Sequence, residues 1–261
     1  MTEPPESRLI VLTGPSCVGK SLLRKALYRH HPEMSERFRL LTLYTTRTPR
    51  PGERDGEQYF FRGRDVIMGL ERRGGFLVMD VRGDLQAVDQ EALNKIVQRG
   101  DSAFYEGNPF IAKALIELAV ERNIPCSSVF LTPLSKSEIK RYLYSHSLDE
   151  LERTLTEHML KKLRIRASTY STGGHPSRDE DHQRRAASAF SEIGMAPYFD
   201  AVIPNHDGEG SDHWEQFDFP IGDAGSALDA FVQFLAGREV ELLERWDRDL
   251  FNDLNAKAAI H

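Results

Sequence analysis

Two short stretches hold most of the residues able to do chemistry. GPSCVGKS, Gly14 to Ser21, fits G-x-x-x-x-G-K-[ST] and stands after an apolar run and at the start of a helical pattern, where that motif must stand. Its glycines let the backbone wrap a phosphate without a Cβ clash, while exposed N–H groups and a helix N-terminus face the anion. Lys20 can reach the β and γ oxygens of a nucleoside triphosphate, and the Ser21 hydroxyl is the expected Mg²⁺ ligand. Cys17 sits inside this electropositive loop, which favours a thiolate; the plainer reading is a small neutral filler. The second stretch, TTRTPRPGERDGEQYFF (Thr45 to Phe61), carries Arg47, Arg50 and Arg54. Pro49, Pro51, Gly52 and Gly56 make it a stiff, turning loop, which would hold those guanidinium groups as a fork for an anion instead of leaving them as solvated charges.

The elements around these stretches alternate. RLIVLTG (Arg8 to Gly14) reads as a buried strand, and KSLLRKALYRHHP as a helix with Leu22, Leu23, Ala26 and Leu27 on one side. Short apolar runs recur at RLLTLYTT, GFLVMDV, DSAFYEG, SSVFLTP and FDAVIP, most of them separated by helical patterns such as IAKALIELAVERN. That alternation predicts an α/β fold whose sheet is mostly parallel and covered on both faces. Between SSVFLTP and FDAVIP no strand pattern appears. SLDELERTLTEHMLKKLRIRA instead offers a capping box, Ser147 with Glu150, and an apolar stripe of Leu148, Leu151, Leu155, Met159 and Leu163. Its basic end, with Lys161, Lys162, Arg164 and Arg166, suits the helix dipole as a solvated helix end, or extends an anion site. RDEDHQRRAASAFSEIG predicts a second helix, and an acidic loop, NHDGEGSDHWEQFDFP, precedes two more helical patterns. His206, Asp207, Asp212 and His213 in that loop match no metal-ligand spacing and read as solvated.

Composition narrows the function classes. With 40% hydrophobic and 28% charged residues of both signs, 261 residues can build a sizeable core. A net charge of −6 argues against nucleic acid as partner, so any anion must be bound locally. No apolar run approaches the roughly 18 residues a membrane span needs, and the start, MTEPPESR, lacks a signal-peptide layout. The two cysteines, Cys17 and Cys126, lack a metal-ligand spacing, and a reducing cytoplasm is the expected setting.

TTRTPRPGERDGEQYFF, at its interval after the Gly14–Ser21 loop, closely resembles the acceptor-phosphate motif of guanylate kinases, T-T-R-x-P-R-x-G-E-x-x-G-x-x-Y-x-F. The resemblance extends through GGFLVMD, RGDSAFYEGN, SVFLTPLSKSEIKRYL and RRAASAFSEIGMAPYFDAVIPN, most of residues 8 to 205 and the helix after. It implies a P-loop NTPase three-layer fold with ATP and Mg²⁺ as cofactors and a small phosphorylated substrate. The implied parts are a kinase core (1–39, 91–140, 198–237), an acceptor-binding segment (40–90), an enlarged helical lid (141–197) and an extension (238–261). Carried over by position, Arg47, Arg50 and Tyr59 grip the acceptor phosphate, which suits the paired bonds a guanidinium gives phosphate. Gly14, Ser16, Cys17, Val18, Gly19, Lys20, Ser21, Leu22 and Asn205 bind ATP. Lys20, Arg47 and Arg50, with lid arginines among Arg178, Arg184 and Arg185, stabilise the transferring phosphoryl group.

The resemblance breaks at the base-recognition positions. The family's serine falls on Leu43, its glutamate on Val78 by an ungapped alignment, a further phosphate-binding tyrosine on Ala87, and two aspartates on Glu106 and Asn108. A short slip would move Asp80 or Asp84 to the guanine contact. Losing a polar anchor changes discrimination strongly. Three readings therefore stand: a guanylate kinase, a related kinase of another phosphorylated small molecule, and a non-catalytic guanylate-kinase-like interaction module. The extension, with Val240, Leu243, Trp246, Leu250 and Leu254 in a helical stripe, is expected to pack on the core or on a second copy as a homodimer.

Overall fold

Apolar β-branched runs become strands and amphipathic runs become helices in a computed structural model that describes residues 7–50, 52–170, 176–248 and 250–251, the side chains of 168–170 and 176–178 excepted. In chain order the strands are β1 (Leu9–Thr13), β2 (Phe38–Leu40), β3 (Leu43–Thr45), β4 (Tyr59–Phe61), β5 (Phe76–Val81), β6 (Asp84–Asp89), β7 (Ser102–Gly107), β8 (Cys126–Thr132) and β9 (Ala201–Pro204). The helices are α1 (Lys20–His30), α2 (Pro32–Ser35), α3 (Arg64–Arg73), α4 (Gln90–Gln98), α5 (Pro109–Glu121), α6 (Lys136–Tyr142), α7 (Leu148–Tyr170), α8 (Pro176–Ala187), α9 (Ala189–Ile193) and α10 (Gly222–Leu235). Five strands form one sheet in the order β2-β7-β1-β8-β9, with β2–β7 and β8–β9 parallel. The predicted α/β class with a mostly parallel sheet is the observed one.

The chain divides into two compact units. One comprises residues 1–11, 36–106 and 110–127; the other comprises 12–35, 107–109 and 128–261, so β1 contributes to both. In the first unit a four-stranded sheet runs β4-β3-β6-β5, antiparallel at β3–β6 and β5–β6. RLLTLYTT, expected as one strand, is split: β2 joins the large sheet and β3 the small one, with Leu41 and Thr42 between them. One face of the small sheet buries Ile67 of α3 against Leu85 and Ala87, with Tyr44, Phe76 and Val78 packed around them.

In the second unit the capping box on α7 forms as its sequence requires. Ser147 Oγ accepts the Glu150 N–H at 3.3 Å while the Glu150 carboxylate accepts the Ser147 N–H at 2.8 Å. Leu151, Leu155, Met159 and Leu163 are all buried. The expected second lid helix is broken into α8 and α9 around Ser188, whose hydroxyl bonds the buried Glu192 at 2.9 Å.

The helix expected after residue 238 does not form among the described residues. Glu244 exchanges both backbone hydrogen bonds with Val202 of β9, at 2.9 and 2.8 Å, which takes the groups a helix would have used internally. Trp246 and Leu250 are nevertheless buried, and the Trp246 indole donates to Glu244 at 2.6 Å. Leu254 lies outside the described residues.

Candidate active site

In the second unit, β1 ends in a loop whose first glycine has φ +140°, and a Cβ there would lie 2.1 Å from the Leu131 carbonyl oxygen. Only glycine fits. Gly19, at φ +99°, caps α1, and a Cβ would come within 2.9 Å of the Asn205 amide nitrogen. Asn205 is fully buried and donates to the Val18 carbonyl at 2.7 Å, so β9 holds the loop from behind. Lys20 Nζ folds back onto the Gly14 and Pro15 carbonyls at 2.8 and 2.6 Å. Ser16 and Leu22 are half-buried and Val18 is buried. The residues assigned to ATP thus converge on one loop.

Cys17 takes the plainer of its two readings, a small neutral filler. It adopts φ +61°, is 2% exposed, and packs with Met159 and Leu163 of α7 and Ala186 and Ala189. Burial pushes its thiol pKa up, and the neighbouring Glu209 carboxylate adds to this, against the pull of Arg166 and Lys20. Burial and Glu209 thus outweigh the positive charges around this thiol.

Glu209 is a site residue that the sequence reading missed. Its backbone N–H donates to the Cys17 carbonyl at 3.0 Å. Its carboxylate accepts the Ser21 hydroxyl at 3.2 Å and the Cys17 thiol at 3.7 Å, and pairs with Arg166 at 2.5 Å. Lys162 donates to the His206 carbonyl at 3.0 Å, and burial lowers its pKa. Half of the basic helix end therefore points at the loop. Arg164 instead pairs with the exposed Asp179 at 3.1 Å, as a solvated end would.

Of the expected lid arginines, Arg185 is nearly buried and lies 2.9 Å from Asp181, whereas Arg184 is over half exposed and 3.9 Å from the same carboxylate. The Arg178 side chain lies outside the described residues. Asn108 donates to the buried Glu192 at 3.3 Å. His206, read as solvated, is held between Glu138 at 3.0 Å and Asp223 at 2.5 Å. Asp207 accepts the Ala224 N–H at 3.1 Å near the start of α10 and pairs with His213 at 2.8 Å.

In the first unit, the fork is organised by Glu53. Arg47 donates both terminal nitrogens to the Glu53 carboxylate at 2.9 Å each and a further bond to the Thr48 carbonyl at 2.8 Å. Its guanidinium carbon lies 5.1 and 5.5 Å from the Tyr59 and Phe61 ring centres. The Arg50 N–H donates to Glu53 at 2.7 Å, and its guanidinium stands 4.0 Å away. Burial works to raise the Glu53 pKa, but the bonds and charges of Arg47 and Arg50 outweigh it and the net shift is downward. Arg47, Arg50 and Tyr59 are thus together, as expected. The acid six residues after Arg47 was the available signal for their organiser.

The base-recognition positions are not brought together. Tyr44 and Val78 both pair with Ala87, so all three share the face that packs against Ile67 and Leu85. Leu43 points to the other face, with Thr45, Met79 and Gln86, since Thr45 and Met79 both oppose Gln86. An ungapped count through a two-stranded turn is enough to exchange the faces. Asp80 accepts the Gly83 N–H at 2.7 Å and so closes the β5–β6 turn, and Asp84 accepts the Thr46 hydroxyl at 3.4 Å. Glu106 is half-buried near the end of β7.

Residues 6–172 match the family model for guanylate kinase. A guanylate kinase of Trichormus variabilis is 35% identical over 155 residues, 57% of this chain and 71% of that protein. One of Synechococcus sp. (strain CC9902) is 31% identical over 206 residues, covering 77% and 88% respectively. The crystal structure of guanylate kinase from Anaplasma phagocytophilum shares the fold, with a TM-score of 0.51 at 18% identity over 96% of each chain.

Proposed function

Because this chain belongs to the guanylate kinase family, a family of nucleotide kinases, we propose that it transfers the γ-phosphoryl group of Mg·ATP to the phosphate of GMP, giving GDP and ADP. The observation that carries this reading is the Arg47 guanidinium. Two bonds to Glu53 fix it beside the Tyr59 ring, so an acceptor phosphate meets a guanidinium already oriented. Residues 40–90 then bind the acceptor, residues 141–197 supply the lid, and the Gly14–Ser21 loop holds the donor.

The acceptor phosphate is ionised and nucleophilic, and needs no strong general base. The protein has to align two anions and offset their repulsion. Lys20 exchanges the Gly14 and Pro15 carbonyls for donor phosphate oxygens, while Arg47, Arg50 and the Tyr59 hydroxyl hold the acceptor. The Ser21 hydroxyl, in the first turn of α1 and 3.2 Å from a carboxylate oxygen, is a hard oxygen donor that fits Mg²⁺. When bound, the ion neutralises charge on the β- and γ-phosphates. No described helix is long and apolar enough to cross a membrane.

A different phosphorylated acceptor is favoured by one feature: the apolar Leu43 and Val78 stand at positions the resemblance assigns to base recognition, although Asp84, opposite Val81, shares the Leu43 face. Coupled ADP-release assays with Mg·ATP against nucleoside monophosphates, deoxynucleotides and sugar phosphates decide between the readings. GMP turnover well above the rest is expected. Turnover of another phosphate alone moves the assignment to that acceptor, and ATP binding without turnover of any acceptor makes the chain an interaction module.

A further inference from the structure

His206 joins three helices of the second unit to the segment that backs the phosphate loop. Its Nε2 lies 3.0 Å from both carboxylate oxygens of Glu138 on α6, and its Nδ1 meets the carboxylate of Asp223 at the start of α10. Its carbonyl accepts Lys162 of α7 at 3.0 Å. A neutral imidazole has one N–H, so only the doubly protonated ring donates to both carboxylates; in the neutral ring one of them faces a lone pair. The side chain is 46% exposed, which leaves it open to protons from solvent.

The neighbours of His206 hold the loop from behind. Asn205 donates to the Val18 carbonyl at 2.7 Å, and the Glu209 N–H to the Cys17 carbonyl at 3.0 Å. Gly208 runs so close that a Cβ would come within 2.2 Å of that same Cys17 oxygen. In a planar trans peptide the N–H points opposite to the carbonyl. Fixing the Cys17 and Val18 carbonyls therefore aims the Val18 and Gly19 N–H groups away from this segment, as an anion-binding loop requires.

We propose that His206 is a proton-operated clamp on the donor site: the charged ring holds residues 205–209 against the phosphate loop and supports polyphosphate binding, and loss of its proton loosens that backing. The inference rests on the nucleotide-kinase reading and adds to it a pH dependence of donor affinity. Besides Glu138 and Asp223, the ionisable groups around the ring are His158 and Lys162 of α7, and Arg141, Glu241 and Glu244, which line the same cavity. The carboxylates favour the imidazolium and the cations oppose it. Burial lowers the His206 pKa, but the bonds to Asp223 and Glu138 outweigh it and the net shift is upward from 6.5. The clamp is therefore closed below about pH 6.5 and opens as pH rises through the higher folded value.

Titration calorimetry of the full chain with Mg·ATP between about pH 6 and about pH 9 tests the clamp. Wild type is run beside His206→Gln, so that the titration of ATP itself cancels in the ratio of affinities. Wild type is expected to bind about fivefold more tightly at the acid end and to approach the variant as pH rises. Asp223→Asn moves the midpoint of that change to lower pH, because the ring loses a carboxylate; a merely structural contact would weaken binding equally at every pH. By reciprocity ATP must raise the His206 pKa, read in the wild type from the imidazole NMR signal that Asp223→Asn displaces, and this measurement stands even where His206→Gln fails to fold. An affinity ratio constant within about twofold over the range overturns the proposal. So does a His206 pKa that ATP leaves in place. Wild-type protein that binds no ATP at any pH refutes the kinase reading and this inference together, whereas ATP binding with a constant ratio refutes this inference alone.

Discussion

Replacing Arg47 by alanine separates what this residue does for the fold from what it does for the acceptor. Its side chain is 11% exposed and that of Glu53 16%, so the pair lies largely out of water. Removing one partner of a fully buried pair costs about 3–5 kcal/mol. Glu53 keeps the Arg50 N–H at 2.7 Å and the Arg50 charge at 4.0 Å, which reduces the expected loss to about 2–3 kcal/mol. For a chain of this size that lowers Tm by roughly 4–10 °C. If the same guanidinium grips a phosphate, its loss removes about 3–4 kcal/mol of charge-assisted hydrogen bonding, and kcat/KM for GMP falls about 100- to 1000-fold. The KM for ATP should be unchanged. Arg47→Lys should recover stability more than activity, because an ammonium keeps the charge but not the fork. A coupled ADP-release assay alongside thermal unfolding reads both effects. Lowered Tm with kcat/KM within threefold of wild type would show that Arg47 only anchors Glu53, and would refute the acceptor assignment.

Three other outcomes are open to measurement. Gly14→Ala should destabilise by about 3 kcal/mol or more, because its Cβ meets a backbone oxygen at 2.1 Å; near-wild-type denaturant unfolding contradicts this. Cys17, buried and with its pKa raised, should alkylate at least about tenfold more slowly than the half-buried Cys126 at pH 8, a difference lost in denaturant; equal native rates by mass spectrometry would be evidence against that packing. Burial lowers the His206 pKa, but its bonds to Asp223 and Glu138 outweigh this and the net shift is upward from 6.5. A group whose folded pKa is raised stabilises fully below its unfolded pKa, so this contribution is present below about pH 6.5 and lost as pH rises through the higher folded value. His206→Ala should flatten that part of the stability–pH curve, and an unaltered slope would rule the contact out as its source.

The Gly14–Ser21 loop, β1 and α1 were legible in sequence because each depends on neighbours: a glycine spacing, a β-branched run, a helical period. The fork was legible for the same reason, and its organiser Glu53 lies within the motif itself. Positions that depend on pairing between strands were not. Val78 and Leu43 differ in face by the parity of a register, which a residue count across a turn of uncertain length does not preserve. β4 and β6 were hidden for a related reason, since Tyr59–Phe61 spans three residues and Asp84–Asp89 opens and closes on acids. Glu209 and Arg166 lie 43 positions apart and meet only through folding. Lys162 and Arg166 could have been found, each three residues after a member of the apolar stripe, Met159 and Leu163. The C-terminal stripe looked helical because Val240, Leu243, Trp246 and Leu250 are spaced for it, yet backbone pairing with Val202 prevailed.

That pairing bears on what the edge of the large sheet offers to another chain. β9 is the last strand of its sheet, and Ala201–Pro204 is entirely buried and apolar. Without Glu244 alongside, its outer hydrogen-bonding row would be a template for a strand from another molecule. The segment around Glu244 therefore occupies part of that row at Val202. Among the described residues it does so with one bridge, set among Glu241, Glu244, Arg245 and Asp247, whose charges disfavour a further strand outside it.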